Sequence, residues 1–146
     1  MYMIKILHSG DWHLDSPLQG RMASQAEILR RELLKIPGKL AALCKEENCH
    51  LVLLSGDLFD GAYTQATYRV VYDALAEMGV PVFISPGNHD FCRPDSPYLT
   101  ESWPENVHIF RENRLNAVEI PEWNLVVHGA AFTSPEQTDG FLTGFT

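Results

Sequence analysis

Three short segments of this 146-residue chain hold the side chains that metal-assisted chemistry needs: Asp11 and His13 in GDWH, Asp57 and Asp60 in GDLFD, and Asn88, His89 and Asp90 in GNHD. Carboxylates, imidazoles and a neutral amide oxygen form a mixed oxygen–nitrogen donor set, which suits manganese, iron or zinc. Asp11 and His13 stand two apart, so an extended segment would point both onto one cation. Gly56 permits a tight turn and a close backbone approach beside Asp57. The two oxygens of Asp57 can bridge two cations, and Asn88 offers a neutral carbonyl oxygen. His89 is left for proton chemistry, with Asp60 placed to hold its imidazole in one tautomer. Two cations about 3.5–4 Å apart acidify a shared water and offset the charge on phosphate oxygens. A free histidine then serves as general acid for the leaving oxygen.

Each motif alone is weak. D-x-H arises by chance, G-D after a strand is ordinary turn chemistry, and G-N-H-D is only somewhat more specific. All three, in this order and each after an apolar strand, are hard to assign to turns.

The elements that must position them follow from patterning. Strands are predicted over Met3–Leu7, His50–Leu54 and Val80–Ser85, each running into one motif. Between the first two, apolar residues at helical spacing (Ile28, Leu29, Leu33, Leu34, Ile36, Leu40, Leu43, Cys44) predict helix from Ser24 to about Asn48. Ser24 and Glu27 form a capping-box pattern, and Pro37-Gly38 is expected to break this stretch in two. A second helix is predicted over Thr64–Met78, with Val70, Val71, Ala74, Leu75 and Met78 on one side and Gly79 in the C′ role. After a polar loop holding Pro94, Pro97 and Pro104 comes a fourth strand, Val107–Phe110. Leu115–Ile120 and Trp123–His128 then read as a hairpin around Pro121-Glu122. The β-α-β-α-β order predicts an α/β fold with strands one to three parallel and helices packed on the sheet. In such a sheet all three motif loops emerge on one edge, where open α/β sheets bind ligands.

These motifs resemble the signature of the calcineurin-like metallophosphoesterases: D-x-H, then G-D, then G-N-H-[DE], followed in that family by an isolated histidine and a G-H-x-H. The flanking HSGDWHLDSP and LVLLSGDLFD are similar to the DNA-repair exonuclease (SbcD-like) branch. The resemblance covers about residues 3 to 132. It implies a layered αββα sandwich, of which this chain would hold part. Carried over by position, it implies Asp11 and His13 as ligands of one metal, Asp57 as bridging ligand and Asn88 as ligand of the other. His89 would be the catalytic histidine, Asp60 a support for that histidine or for the phosphate, and Asp90 a brace for the loop. Further implications are two divalent ions, manganese foremost, DNA as substrate, an SMC-like ATPase partner and a homodimer.

Two other readings stay open. One is a phosphodiesterase or phosphatase acting on nucleotides or small esters. The other is a binding or scaffold module with an incomplete metal site, because the isolated histidine and the G-H-x-H do not occur in these residues. His128, in NLVVHGAAF, matches a family strand that precedes the ligand histidines and is read as structural, as are His8, His50 and His108. The terminal TSPEQTDGFLTGFT carries no cap or closing strand. We therefore expect a single domain over residues 1–146, cut before its last ligands, with weak metal binding and little activity on its own. Trp12, Phe59, Phe91 and Arg93 flank the motifs, as substrate contacts or as wall packing.

Composition sets outer limits. Hydrophobic residues at 45% and charged residues at 21% argue against a disordered chain, a coiled coil or a collagen-like repeat. No apolar run approaches the roughly 20 residues of a membrane span. MYMIKILHSGD makes a poor signal peptide, so the expected compartment is the cytoplasm. The net charge of −8 leaves Arg30, Arg31, Lys35 and Lys39 as the densest basic cluster, read as a solvated helix face. Acidity does not exclude DNA, since bound cations become the largest local charges. Cys44, Cys49 and Cys92 are odd in number and fit small semi-buried hydrophobes better than disulfides or a zinc knuckle.

Overall fold

Apolar side chains alternate across the central strands, and this alternation creates the layers. The computed structural model describes residues 3–143 and 145. Strands β1 (Ile6–Ser9), β2 (Leu51–Leu54), β3 (Val82–Ile84) and β4 (Val107–Ile109) form one parallel sheet in sequence order. Ile6 sits opposite Leu51, Val52 opposite Val82, and Val82 opposite Val107. Successive strand residues face opposite sides. Val52, Leu54, Val82 and Ile84 therefore join one core, and Leu53 and Phe83 join another.

The first core lies under helices α2 (Ile36–Glu46) and α3 (Gln65–Met78), which contribute Ala41, Cys44, Val71, Ala74, Leu75 and Met78. Helix α1 (Ala23–Leu33) buries only Ala26. The opposite face is covered by the hairpin of β5 (Asn116–Ile120) and β6 (Leu125–Gly129), joined through a 3-10 turn at Pro121–Trp123. Its Val118, Ile120, Leu125 and Val127 pack on Phe83 and Phe110. The expected α/β architecture is present as three layers, helices on a parallel sheet on a hairpin. A short helix, α4 (Pro97–Thr100), interrupts the proline-rich loop.

Several boundaries differ from the sequence pattern, for local reasons. Helix α1 begins at Ala23 with Met22 as N-cap, so Ser24 lies in the first turn and the capping box does not form. The Arg30 guanidinium sets the entry instead, donating to the carbonyls of Ser16 and Pro17 at 2.9 Å each. The helical break falls at Leu34-Lys35, not at Pro37-Gly38. Pro37 occupies the first turn of α2, where no amide donor is required. Ile28 and Leu43, placed on the apolar stripe, are exposed. Strand β1 starts only at Ile6, where pairing with β2 begins. Helix α3 follows its signals: the Thr64 side chain accepts from the Thr67 amide, and Gly79 closes the helix at φ +67°.

Candidate metal centre

The loop after β1 runs alongside the loop after β2 and is stitched to it. The amides of Asp11, His13 and Leu14 donate to the carbonyls of Gly56, Asp57 and Leu58 at 2.9 Å each, and the Asp60 amide returns a bond to Leu14. Trp12, Leu14, Leu58 and Phe59 are buried between these contacts and anchor the loops to the core. The Trp12 indole N–H donates to Ser9 Oγ at 2.9 Å. For Trp12 and Phe59, wall packing is what the structure shows.

The first loop is not the extended segment expected from the Asp11/His13 spacing. Asp11 and His13 adopt φ +53° and +47°, and Asp57 adopts +51°. Left-handed non-glycine residues are uncommon, and such strain concentrates at functional sites. The turn brings Asp11 Oδ1 to 3.8 Å from His13 Nε2, with the Asp11 side chain 80% exposed.

The second and third motif loops meet through glycine and one carboxylate. Gly56, at φ +87°, lies against Gly87, and Gly87 lies against the Asp57 carboxylate; a methyl at either glycine would overlap its neighbour. Asp90 is buried and its carboxylate is the junction. Asp90 Oδ1 accepts from the amides of Asp57 (3.0 Å) and Gly87 (2.8 Å). Asp90 Oδ2 accepts from the amides of Leu58 (2.8 Å) and Phe59 (3.3 Å) and from the Tyr98 hydroxyl. Burial pushes the Asp90 carboxyl above its ordinary range, and these donors hold it back. Its contacts are those of a loop brace.

The three loops converge. Donor atoms of His13, Asp57 and His89 lie within 4.8 Å of one another. Asp57 Oδ1 accepts from the His89 amide at 2.9 Å, while Oδ2 lies 4.0 Å from His13 Nε2. The two imidazoles meet edge to face, with centroids 4.9 Å apart. Asp60 serves both: its Oδ1 is 2.7 Å from His89 Nδ1 and 3.6 Å from His13 Nδ1. Burial raises the Asp60 carboxyl, but hydrogen bonds from Ser16 and His89 and the charge of the imidazoles outweigh it and leave it below its usual range. Asn88 is exposed between Gly87 and His89.

This donor set fits a divalent transition-metal ion. It combines imidazole nitrogens with carboxylate oxygen, and among the described residues no lysine or arginine pairs with Asp11, Asp57 or Asp60. The uncompensated negative charge is what a cation would neutralise. Arg93 is engaged elsewhere, with Asp95 at 2.8 Å and the Gly61 carbonyl at 3.0 Å. His8, His50, His108 and His128 do not join the cluster among the described residues.

Two contributors escape sequence patterning. Asp15 accepts from the Thr64 amide at 2.7 Å and the Thr67 hydroxyl at 2.8 Å, tying the first loop to the start of α3. Tyr98 reaches Asp90 from the proline-rich loop. The helix-start signal at Thr64 hints at an acid partner, whereas nothing in the pattern marks Tyr98.

Comparison with known proteins agrees with this geometry. Residues 4–143 match the family described as calcineurin-like phosphoesterase. The chain is 32% identical over 115 residues to an uncharacterized metallophosphoesterase, YhaO, of Bacillus subtilis, covering 73% of this chain and 28% of the relative. It is 31% identical over 94 residues to a subunit of the nuclease SbcCD from Bacillus subtilis, covering 60% and 22%. The corresponding SbcCD nuclease subunit of Staphylococcus saprophyticus is 28% identical over 125 residues, covering 81% and 31%. The chain thus spans under a third of the length of these relatives. With a family match over nearly all its residues and the family's first three motifs gathered at one sheet edge, the chain belongs to the calcineurin-like phosphoesterases.

Proposed function

We propose that this chain is the motif-bearing part of a metal-dependent phosphodiester hydrolase that acts on DNA as an exonuclease. The observation that supports it most is the meeting of His13, Asp57 and His89, with Asp60 beside the two imidazoles. In this reading Asp11 and His13 hold one divalent ion, Asn88 holds a second, and Asp57 serves both. Manganese is the ion we favour, with iron or zinc compatible with the same donors. When bound, such ions supply an acidified water and offset phosphate charge.

The remaining work falls to the chain. Asp60 accepts from His89 at Nδ1, so in the protonated imidazolium the Nε2–H faces away from it and can deliver its proton to the leaving oxygen. Asp57, with one oxygen tied to the His89 amide, keeps the metal ligand and the acid in fixed relation. Asp90 holds the two loops together behind them.

DNA is favoured because two relatives are named as subunits of a nuclease. An SMC-like ATPase as partner and a homodimer as the assembly are proposed from the resemblance of the motifs alone. A second reading, hydrolysis of nucleotides or small phosphodiesters, draws support from the net charge of −8. Both are tested by assaying the full-length protein with manganese on linear duplex DNA, single strands and a chromogenic phosphodiester. Degradation of DNA from its ends supports the nuclease. Hydrolysis of the small ester alone overturns it, and hydrolysis of nothing favours a binding or scaffold role.

A further inference from the structure

The Asp90 brace has its own support, and it lies outside the three motifs. Tyr98 is fully buried, and its ring is held on two sides. It stacks on Trp103 with centroids 5.7 Å apart at 21°, and it meets Phe59 edge to face at 6.2 Å. Its backbone is pinned as well: the Tyr98 carbonyl accepts from Arg111 Nε at 3.1 Å, and the Trp103 indole donates to the Pro97 carbonyl at 3.0 Å. The phenol tip therefore has one place to go, which is Asp90 Oδ2. Burial pushes the phenol well above its ordinary pKa, so it remains a donor.

Among the described residues, every other partner of that carboxylate is a backbone amide in the two loops, at Asp57, Leu58, Phe59 and Gly87. A carboxylate that accepted only from the two loops it joins would have no contact outside them. The hydroxyl of a side chain locked in the core gives it a fixed external reference. Phe59 closes the circuit, because its amide bonds Asp90 while its ring packs on Tyr98.

We infer that Tyr98 is a positioning residue for the metal centre: its hydroxyl fixes the Asp90 carboxylate, which fixes the loops carrying Asp57 and His89. The inference rests on the metal-dependent reading above, and groups that orient metal ligands from outside typically change affinity about 10–100-fold. Tyr98 acts through one further carboxylate, so the low end of that range applies.

The test is Tyr98→Phe, which keeps the ring and its packing and removes only the hydroxyl. Two readouts are compared with the parent, both in the full-length protein: manganese affinity by electron paramagnetic resonance, and amide hydrogen exchange. We expect affinity to fall about tenfold. The amides of Leu58 and Gly87 should exchange faster, with those of Val52 and Phe83 in the sheet unchanged. A merely structural tyrosine would lower the melting temperature and leave the affinity of the folded protein and this exchange pattern alone; that result overturns the inference. If the full-length parent binds no manganese, the metal reading fails, and the exchange pattern still decides whether Tyr98 orders these loops.

Discussion

His89 Nδ1 lies 2.7 Å from Asp60 Oδ1, and the same oxygen lies 3.6 Å from His13 Nδ1, so one carboxylate holds the first imidazole and faces the second, from loops far apart in sequence. If His89 is the acid for the leaving group, His89→Ala lowers turnover of DNA by about 10²–10⁴. A phosphodiester with a good leaving group needs no acid and should lose far less. Asp60→Asn keeps a hydrogen-bond acceptor but loses the charge, and should show the same leaving-group dependence more weakly. Steady-state rates on both substrate types check this, and equal losses on both would remove His89 from the role of acid.

Gly56, at the site, and Gly38, away from it, should respond oppositely to substitution. Gly56→Ala combines a left-handed backbone with overlap on Gly87, and should destabilise the fold by roughly 2–5 kcal/mol. Gly38, inside α2, faces open space. Its replacement by alanine should stabilise by about 0.5–1 kcal/mol. Urea titration at 25 °C reads both.

The cysteines should differ in reactivity. Burial pushes the Cys92 thiol up to about 11, and it also raises the Cys44 thiol. Cys49 is only partly buried. The thiolate is the reactive form, so iodoacetamide at pH 8 should label Cys49 first and spare the other two until the chain unfolds. Mass spectrometry of digested peptides gives the order, and early labelling of Cys92 would contradict its placement.

Much of the scaffold is legible in the sequence because strand period and loop chemistry agree. Apolar strands running into GDWH, GDLFD and GNHD imply a parallel sheet, and a parallel sheet puts all three loops on one edge. The hairpin is equally readable from its alternation around Pro121-Glu122. The α1–α2 break is not, because Pro37 starts a helix as readily as it ends one. The conformation at Asp11 and His13 is also hidden: periodicity predicts extended or helical backbone, and left-handed residues follow neither. Tyr98 is out of reach for another reason, since its partner is set by tertiary packing on Trp103 and Phe59 and by no local pattern.

Metal ions held by three loops at one edge of the sheet are the centre of this mechanism. Crystals of the full-length protein grown with manganese and measured at its absorption edge test that claim most directly. The prediction is anomalous density within coordination distance of Asp57 and His13, with a second peak, where present, between Asp57 and Asn88. Density remote from Asp57, or none beside it at millimolar manganese, would contradict it.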